Sequence, residues 1–216
     1  MPNWCTTNYF LTGNDDEMKR LAGTINRLPK EKPAAPNDFG PFWLGNLFVL
    51  LGKSWKGTEC RGWLDPDTWA EACMWPQMPE HKRVVAHHGQ LRFSTTTAWS
   101  RSKDFENMLK EAFPSVEIYY RTTDEFGNFR LCNDSQGKAG FEWYTLYTGN
   151  GITGFGKDGR DAFMALLRQA LEGFRLPEDI TDEQLCSDEF LERLDDWRGQ
   201  KEEREDIYYE IYLLQS

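Results

Sequence analysis

The chain has 216 residues, 39% of them apolar and 14% aromatic, with a formal net charge of −10. That is enough for one large domain or a domain with a long extension, and it excludes wholesale disorder. No apolar run approaches the roughly 20 residues of a membrane span. Five scattered cysteines (Cys5, Cys60, Cys73, Cys132, Cys186) and the absence of a basic-then-apolar leader at Met1 predict a cytoplasmic protein with reduced thiols.

The charge is unevenly placed. Residues 1–175 hold 21 acidic and 21 basic side chains, whereas residues 176–216 hold 14 and 4. An acidic segment repels nucleic-acid phosphates. It reads either as a solvated helical surface or as a docking surface for a basic protein, with Glu189, Glu192, Asp195 and Asp196 as candidate contacts.

Taken in order, Cys5, Thr7, Tyr9 and Leu11 alternate with polar neighbours, predicting a first strand closed by Gly13. A helix follows from about Asp15 to Leu28, capped by Asn14 or Asp15 and buried through Met18, Leu21, Ala22 and Ile25. Residues 29–41 are an aperiodic connection. The run Leu47–Leu51 is short and bounded by glycines, so a strand is expected there.

Residues 52–89 read as an irregular insertion carrying Trp55, Trp63, Trp69 and Trp75. Such tryptophans anchor a loop onto a core or offer a stacking surface for a ligand. One short helix is expected inside it, with Asp65 as cap and Pro66 at its first position.

The clearest folding unit is strand–helix–strand over residues 90–121. Leu91, Phe93, Thr95, Thr97 and Trp99 share one strand face. Phe105, Met108, Leu109, Ala112 and Phe113 line one face of a helix capped by Ser100 or Ser102 and stopped before Pro114. Val116, Ile118 and Tyr120 then alternate again. A turn at 126–128, strands over 129–132 and 141–147, and an Asn150-Gly151 hairpin turn come next. A helix over Arg160–Phe174 follows. Thr181 and Gln184 form a capping box for an acidic helix reaching Trp197. Ile207, Tyr209, Ile211 and Leu213 alternate as a final strand, although Tyr208 and Tyr212 also suit a helix.

Two short runs carry a family resemblance. Pro2-Asn3-Trp4-Cys5, with Gly13 closing the strand, and Thr97-Ala98-Trp99-Ser100 before the second helix resemble the YubB-like proteins of phages, conjugative plasmids and integrated elements. The resemblance spans about residues 1–147. Thr7 stands where that family carries Asn, and Arg101-Ser102 replaces a proline pair. The resemblance implies a ferredoxin-like βαββαβ domain and a mobile-element setting, with no assigned activity or catalytic residues. The expected class is therefore α+β: a ferredoxin-like antiparallel sheet with helices on one face over 1–147, the Trp-rich insertion at 52–89, and a β-hairpin and helical acidic extension over 148–216.

Candidate chemistry is sparse. Gly149-Asn150-Gly151-Ile152-Thr153-Gly154 matches a dinucleotide fingerprint, but the preceding strand alternates and no acidic-ended strand follows. Cys60, Cys73, His81, His87 and His88 lack the spacing of a zinc site. Cys5 beside Trp4 reads as a buried small hydrophobe. Phe93, Tyr119 and Tyr120, with Arg92, Arg121 and Arg130, offer a base-stacking sheet face. No cofactor and no metal are expected. The leading expectation is a non-enzymatic accessory protein whose partner is another protein; the alternatives are single-stranded nucleic-acid binding on the sheet and a metal-dependent enzyme using the 52–89 loop.

Overall fold

The computed structural model describes residues 2–65, 84, 86–127, 129–148, 151–199 and 207–214. The protein is α+β and divides into two compact units, Met1–Phe129 and Arg130–Ser216. The second unit thus begins ahead of the 141–147 strand.

In the first unit, strand β1 (Trp4–Thr12) leads into helix α1 (Asp15–Arg27), whose N-cap Asn14 accepts from the Asp16 amide. Helix α2 (Leu44–Leu50) and strand β2 (Gly62–Asp65) follow, then strand β3 (Gln90–Ala98), helix α3 (Lys103–Ala112) and strand β4 (Glu117–Asp124). The strands lie in the order β2, β3, β1, β4, and β2–β3, β3–β1 and β1–β4 pair antiparallel. Tyr9, Leu11, Leu91 and Phe93 on the sheet share one apolar core with Leu21 and Ile25 of α1, Leu44 and Leu47 of α2, and Phe105 and Leu109 of α3. The alternation along β1 and β3 and the 3.6-residue period of α1 and α3 are what place these side chains on a common face.

Two local expectations are corrected. The 47–51 run is helical, not a strand. Leu44, Leu47 and Phe48 recur at helical spacing and are all buried, and Asn46 ties the helix to the preceding loop by accepting from the Ala34 amide and donating to the Pro41 carbonyl. Gly45 permits this packing, because a Cβ there would stand 2.5 Å from the Trp43 ring. The second correction is β2, a strand inside the supposedly irregular insertion. Asp65 is its last residue, and the short helix expected from Pro66 lies outside the described residues.

In the second unit, β5 (Arg130–Cys132) pairs in parallel with β9 (Leu213–Leu214). β6 (Tyr144–Thr148) pairs antiparallel with β7 (Gly151–Phe155) on one side and β8 (Tyr208–Ile211) on the other. Helix α4 (Arg160–Ala170) buries Phe163, Met164 and Leu167, and the Phe163 ring stacks on Tyr144 at 5.2 Å. The acidic helix is two pieces, α5 (Asp182–Leu185) and α6 (Asp188–Gly199). The Thr181/Gln184 capping box is present and opens α5. The final strand is also two pieces. Tyr212, whose amide donates to the Trp143 carbonyl, separates β8 from β9.

Candidate functional site

Register sets four rows of side chains across the helix-covered face of β3, β1 and β4: Leu91–Leu11–Ile118, Phe93–Tyr9–Tyr120, Thr95–Thr7–Thr122 and Thr97–Cys5–Asp124. The first two rows are aliphatic and aromatic. The last two are polar, and all six of their side chains are buried. A sheet face that changes chemistry halfway along, with no change in alternation, marks that end as a candidate site.

The polar rows are densely hydrogen-bonded. Thr122 Oγ1 lies 2.9 Å from both Cys5 Sγ and Thr7 Oγ1. Asp124 accepts from Asn3 Nδ2 at 2.8 Å and from the Phe129 amide at 3.1 Å. The Tyr9 hydroxyl donates to Glu106 Oε1 at 3.2 Å, and the same oxygen accepts from Arg101 Nη1 at 2.5 Å. The Arg101 guanidinium lies 4.1 Å from the centre of the Tyr120 ring. Ser102 caps α3 by accepting from the Phe105 amide and donates to the Glu59 carbonyl. Thr95 Oγ1 is buried with no hydrogen-bond partner among the described residues.

This network lies under the meeting point of the two sequence motifs. Trp4 pairs with Ala98, the Trp99 amide donates to the Asn3 carbonyl at 2.7 Å, and the Glu125 amide donates to the Trp4 carbonyl at 2.8 Å. Trp99 follows β3 with a φ of 74° and is 59% exposed. A left-handed backbone is strained for a bulky residue, and an exposed indole recovers little by burial. Phe126, in the turn after β4, is 73% exposed.

The electrostatics disfavour nucleophilic chemistry at Cys5. Burial pushes its thiol up, and the hydrogen bonds from Thr122 and Thr7 only partly oppose that. Burial and the neighbouring Glu106 likewise hold the Tyr9 phenol neutral. His87 and His88 lie at the hairpin that opens β3, at the opposite end of the strand from Thr97 and Cys5. Among the described residues, no group of three His, Cys, Asp or Glu side chains could hold a metal ion. What the arrangement does hold is a buried, hydrogen-bonded and charge-paired layer at the end of the sheet where Trp99 leaves β3.

The residues singled out from sequence fall in several places. Trp55 is half-buried with its ring 5.1 Å from Trp43. Trp63, on β2, lies 5.1 Å from Trp4 and stacks on Phe39 at 5.8 Å. Trp69 and Trp75, like Cys73 and His81, lie outside the described residues. Both described tryptophans therefore pack onto neighbouring aromatics. Glu189, Glu192, Asp195 and Asp196 all lie exposed on α6, while Phe190 and Leu194 of the same helix are buried. Asp195 pairs with Arg198 at 3.1 Å.

Of the proposed base-stacking residues, Phe93 and Tyr120 lie in the buried aromatic row beneath the helices, and Tyr119 sits beside Phe10 on the opposite face. The Gly151–Gly154 part of the glycine motif is strand β7, not a phosphate loop, and a Cβ at Gly154 would collide with the Glu142 carboxylate at 2.3 Å. The intervening residues 149–150, and with them the Asn150 position of the hairpin turn, lie outside the described residues. Trp99, Arg101 and Glu106 were not singled out as site residues from the sequence. The available signal was Trp99's place within the second motif, immediately after an alternating run.

None of the protein-family models, curated proteins or solved structures compared with the chain matches it.

Proposed function

We propose that the chain is a protein-binding module, an accessory protein of a phage, plasmid or integrated element. The observation that carries the reading is Trp99: a large aromatic kept exposed in a left-handed backbone at the junction of the two motifs. Tryptophan is the residue type most enriched among binding hot spots, and strain retained at the surface is a mark of function rather than stability. The outward strip Glu189, Glu192, Asp195 and Asp196 supports a partner with a basic face, through complementarity that steers encounter. The succession β1–α1–β2–β3–α3–β4, with α2 inserted between α1 and β2, supports a ferredoxin-like first unit, and the motifs at Pro2–Cys5 and Thr97–Ser100 support the mobile-element setting.

The test is affinity capture from lysate of the source cell with the full chain, with Trp99→Ala, and with the α6 strip reversed to lysine. A protein retained by the parent and lost from Trp99→Ala supports the reading. Loss from the reversed strip as well, restored by no change of salt, identifies the basic-partner component. Identical retention by all three chains contradicts it. Retention of oligonucleotide instead of protein would favour nucleic-acid binding.

A further inference from the structure

The run Thr97-Ala98-Trp99-Ser100 builds a turn of uncommon hand at the end of β3. The Ser100 amide donates to the Ala98 carbonyl at 3.0 Å, and Trp99 between them has a φ of 74°. A three-residue turn with a positive φ at its centre is the rare, strained form of the γ-turn. Tryptophan does not select it, because its Cβ is crowded there. Other bonds hold the turn in place.

Each of the two sequence motifs supplies one. The Trp99 amide donates to the Asn3 carbonyl at 2.7 Å, beside the Trp4–Ala98 pair, so the Pro2–Cys5 run anchors the centre of the turn. The Thr97 hydroxyl donates to the Ser100 carbonyl at 2.6 Å, tying the residue before the turn to the residue that closes it. Thr97 is 2% exposed, and a buried hydroxyl without a partner is costly, which couples this bond to the turn. The Asn3 carbonyl is backbone and any residue at that position supplies it. The Thr97 bond depends on a side chain.

We propose that Thr97 is the positioning residue for Trp99: its hydroxyl holds the γ-turn and with it the direction in which the indole leaves the sheet. The proposal deepens the binding reading of Trp99 and rests on it for its purpose, because an aromatic set in place beforehand avoids part of the ordering cost of association.

Urea unfolding of Trp99→Gly and Trp99→Ala, each in the parent, Thr97→Ser and Thr97→Val backgrounds, tests the proposal without a partner. With Thr97 intact, the folding equilibrium constant of the glycine variant should exceed that of the alanine variant about fivefold. Thr97→Ser keeps the hydroxyl and should keep that ratio. Thr97→Val keeps the bulk and loses the donor, and should bring the ratio to about one or below, because a released turn relaxes to a backbone that alanine tolerates. Thr97→Ala also lacks the donor and takes the place of the valine variant if that chain does not fold. The indole N–H resonance of Trp99, identified by its loss in Trp99→Phe, gives a second reading. It should shift in Thr97→Val and stay in Thr97→Ser. A glycine preference that survives loss of the hydroxyl overturns the proposal, and so does one lost equally in Thr97→Ser. An indole resonance unmoved in Thr97→Val overturns it as well. None of these results bears on Trp99 as a contact residue, which capture with Trp99→Ala decides separately.

Discussion

One face of one sheet behaves as two materials. At the Leu11 end, β1 meets Leu91 and Ile118, and the rows pack against Leu21, Phe105 and Phe113 as an ordinary apolar core. At the Cys5 end the same strands, in the same register, bury Thr7, Thr95, Thr97, Thr122 and Asp124. Area burial stabilises the first end. The second gains little from desolvating polar groups and depends on satisfying them. The contrast teaches that one alternation can encode two kinds of burial, and the polar kind is fastened to the turn after β3, where the Thr97 hydroxyl donates to the Ser100 carbonyl.

The comparison can be broken or sharpened by substitution. Phe105→Ala, at the boundary with the apolar end, should lower unfolding free energy by about 4 kcal/mol, since it removes a fully buried ring. Glu106→Ala should cost about 3 kcal/mol in urea unfolding, because it strands the largely buried Arg101 guanidinium and the Tyr9 hydroxyl. A loss below about 1 kcal/mol would mean that the pair is as dispensable as a surface ion pair. Alkaline pH should weaken the polar end. The Cys5 thiol is held above its ordinary 9.0, so its contribution is complete below that pH and declines as pH rises through the folded value. The fall attributable to Cys5 should not exceed about 1.4 kcal/mol per pH unit and should vanish in Cys5→Ala, measured by thermal unfolding between neutral and alkaline buffers. The smallest effects separate two threonines in one row. Thr7→Val breaks the bond to Thr122 and should cost about 1 kcal/mol, whereas Thr95→Val removes a hydroxyl with no hydrogen-bond partner among the described residues and should be neutral or slightly stabilising.

Much of this architecture was readable from spacing. The alternation of Leu91, Phe93, Thr95 and Thr97 and the helical period of Phe105, Met108 and Leu109 located β3, α3 and their buried sides. Segments with little periodic signal were misread. β2 is four residues long and begins with a glycine, so no period could establish itself. The Leu44–Leu50 helix is apolar on several sides, and a short apolar run does not distinguish helix from strand. The break at Tyr212 depends on which strand each half joins, a long-range choice that alternation does not encode.

The candidate site was legible in parts. Cys5, Thr7, Thr95 and Thr97 could be assigned to one side of their strands. Their convergence with Arg101 and Glu106 could not, because it requires the β1–β3–β4 register together with the docking of α3. The positive φ at Trp99 was hidden for a simpler reason. Tryptophan disfavours that conformation, so nothing in local preference announces it.

The claim that Trp99 is held against its own backbone preference is tested most directly by comparing urea unfolding of Trp99→Gly and Trp99→Ala. Both variants remove the indole, so their difference isolates the backbone. The left-handed φ of 74° predicts that the glycine variant is the more stable by about 1 kcal/mol, the reverse of the usual order of these two residues. An alanine variant as stable as the glycine variant, or more so, would contradict the account.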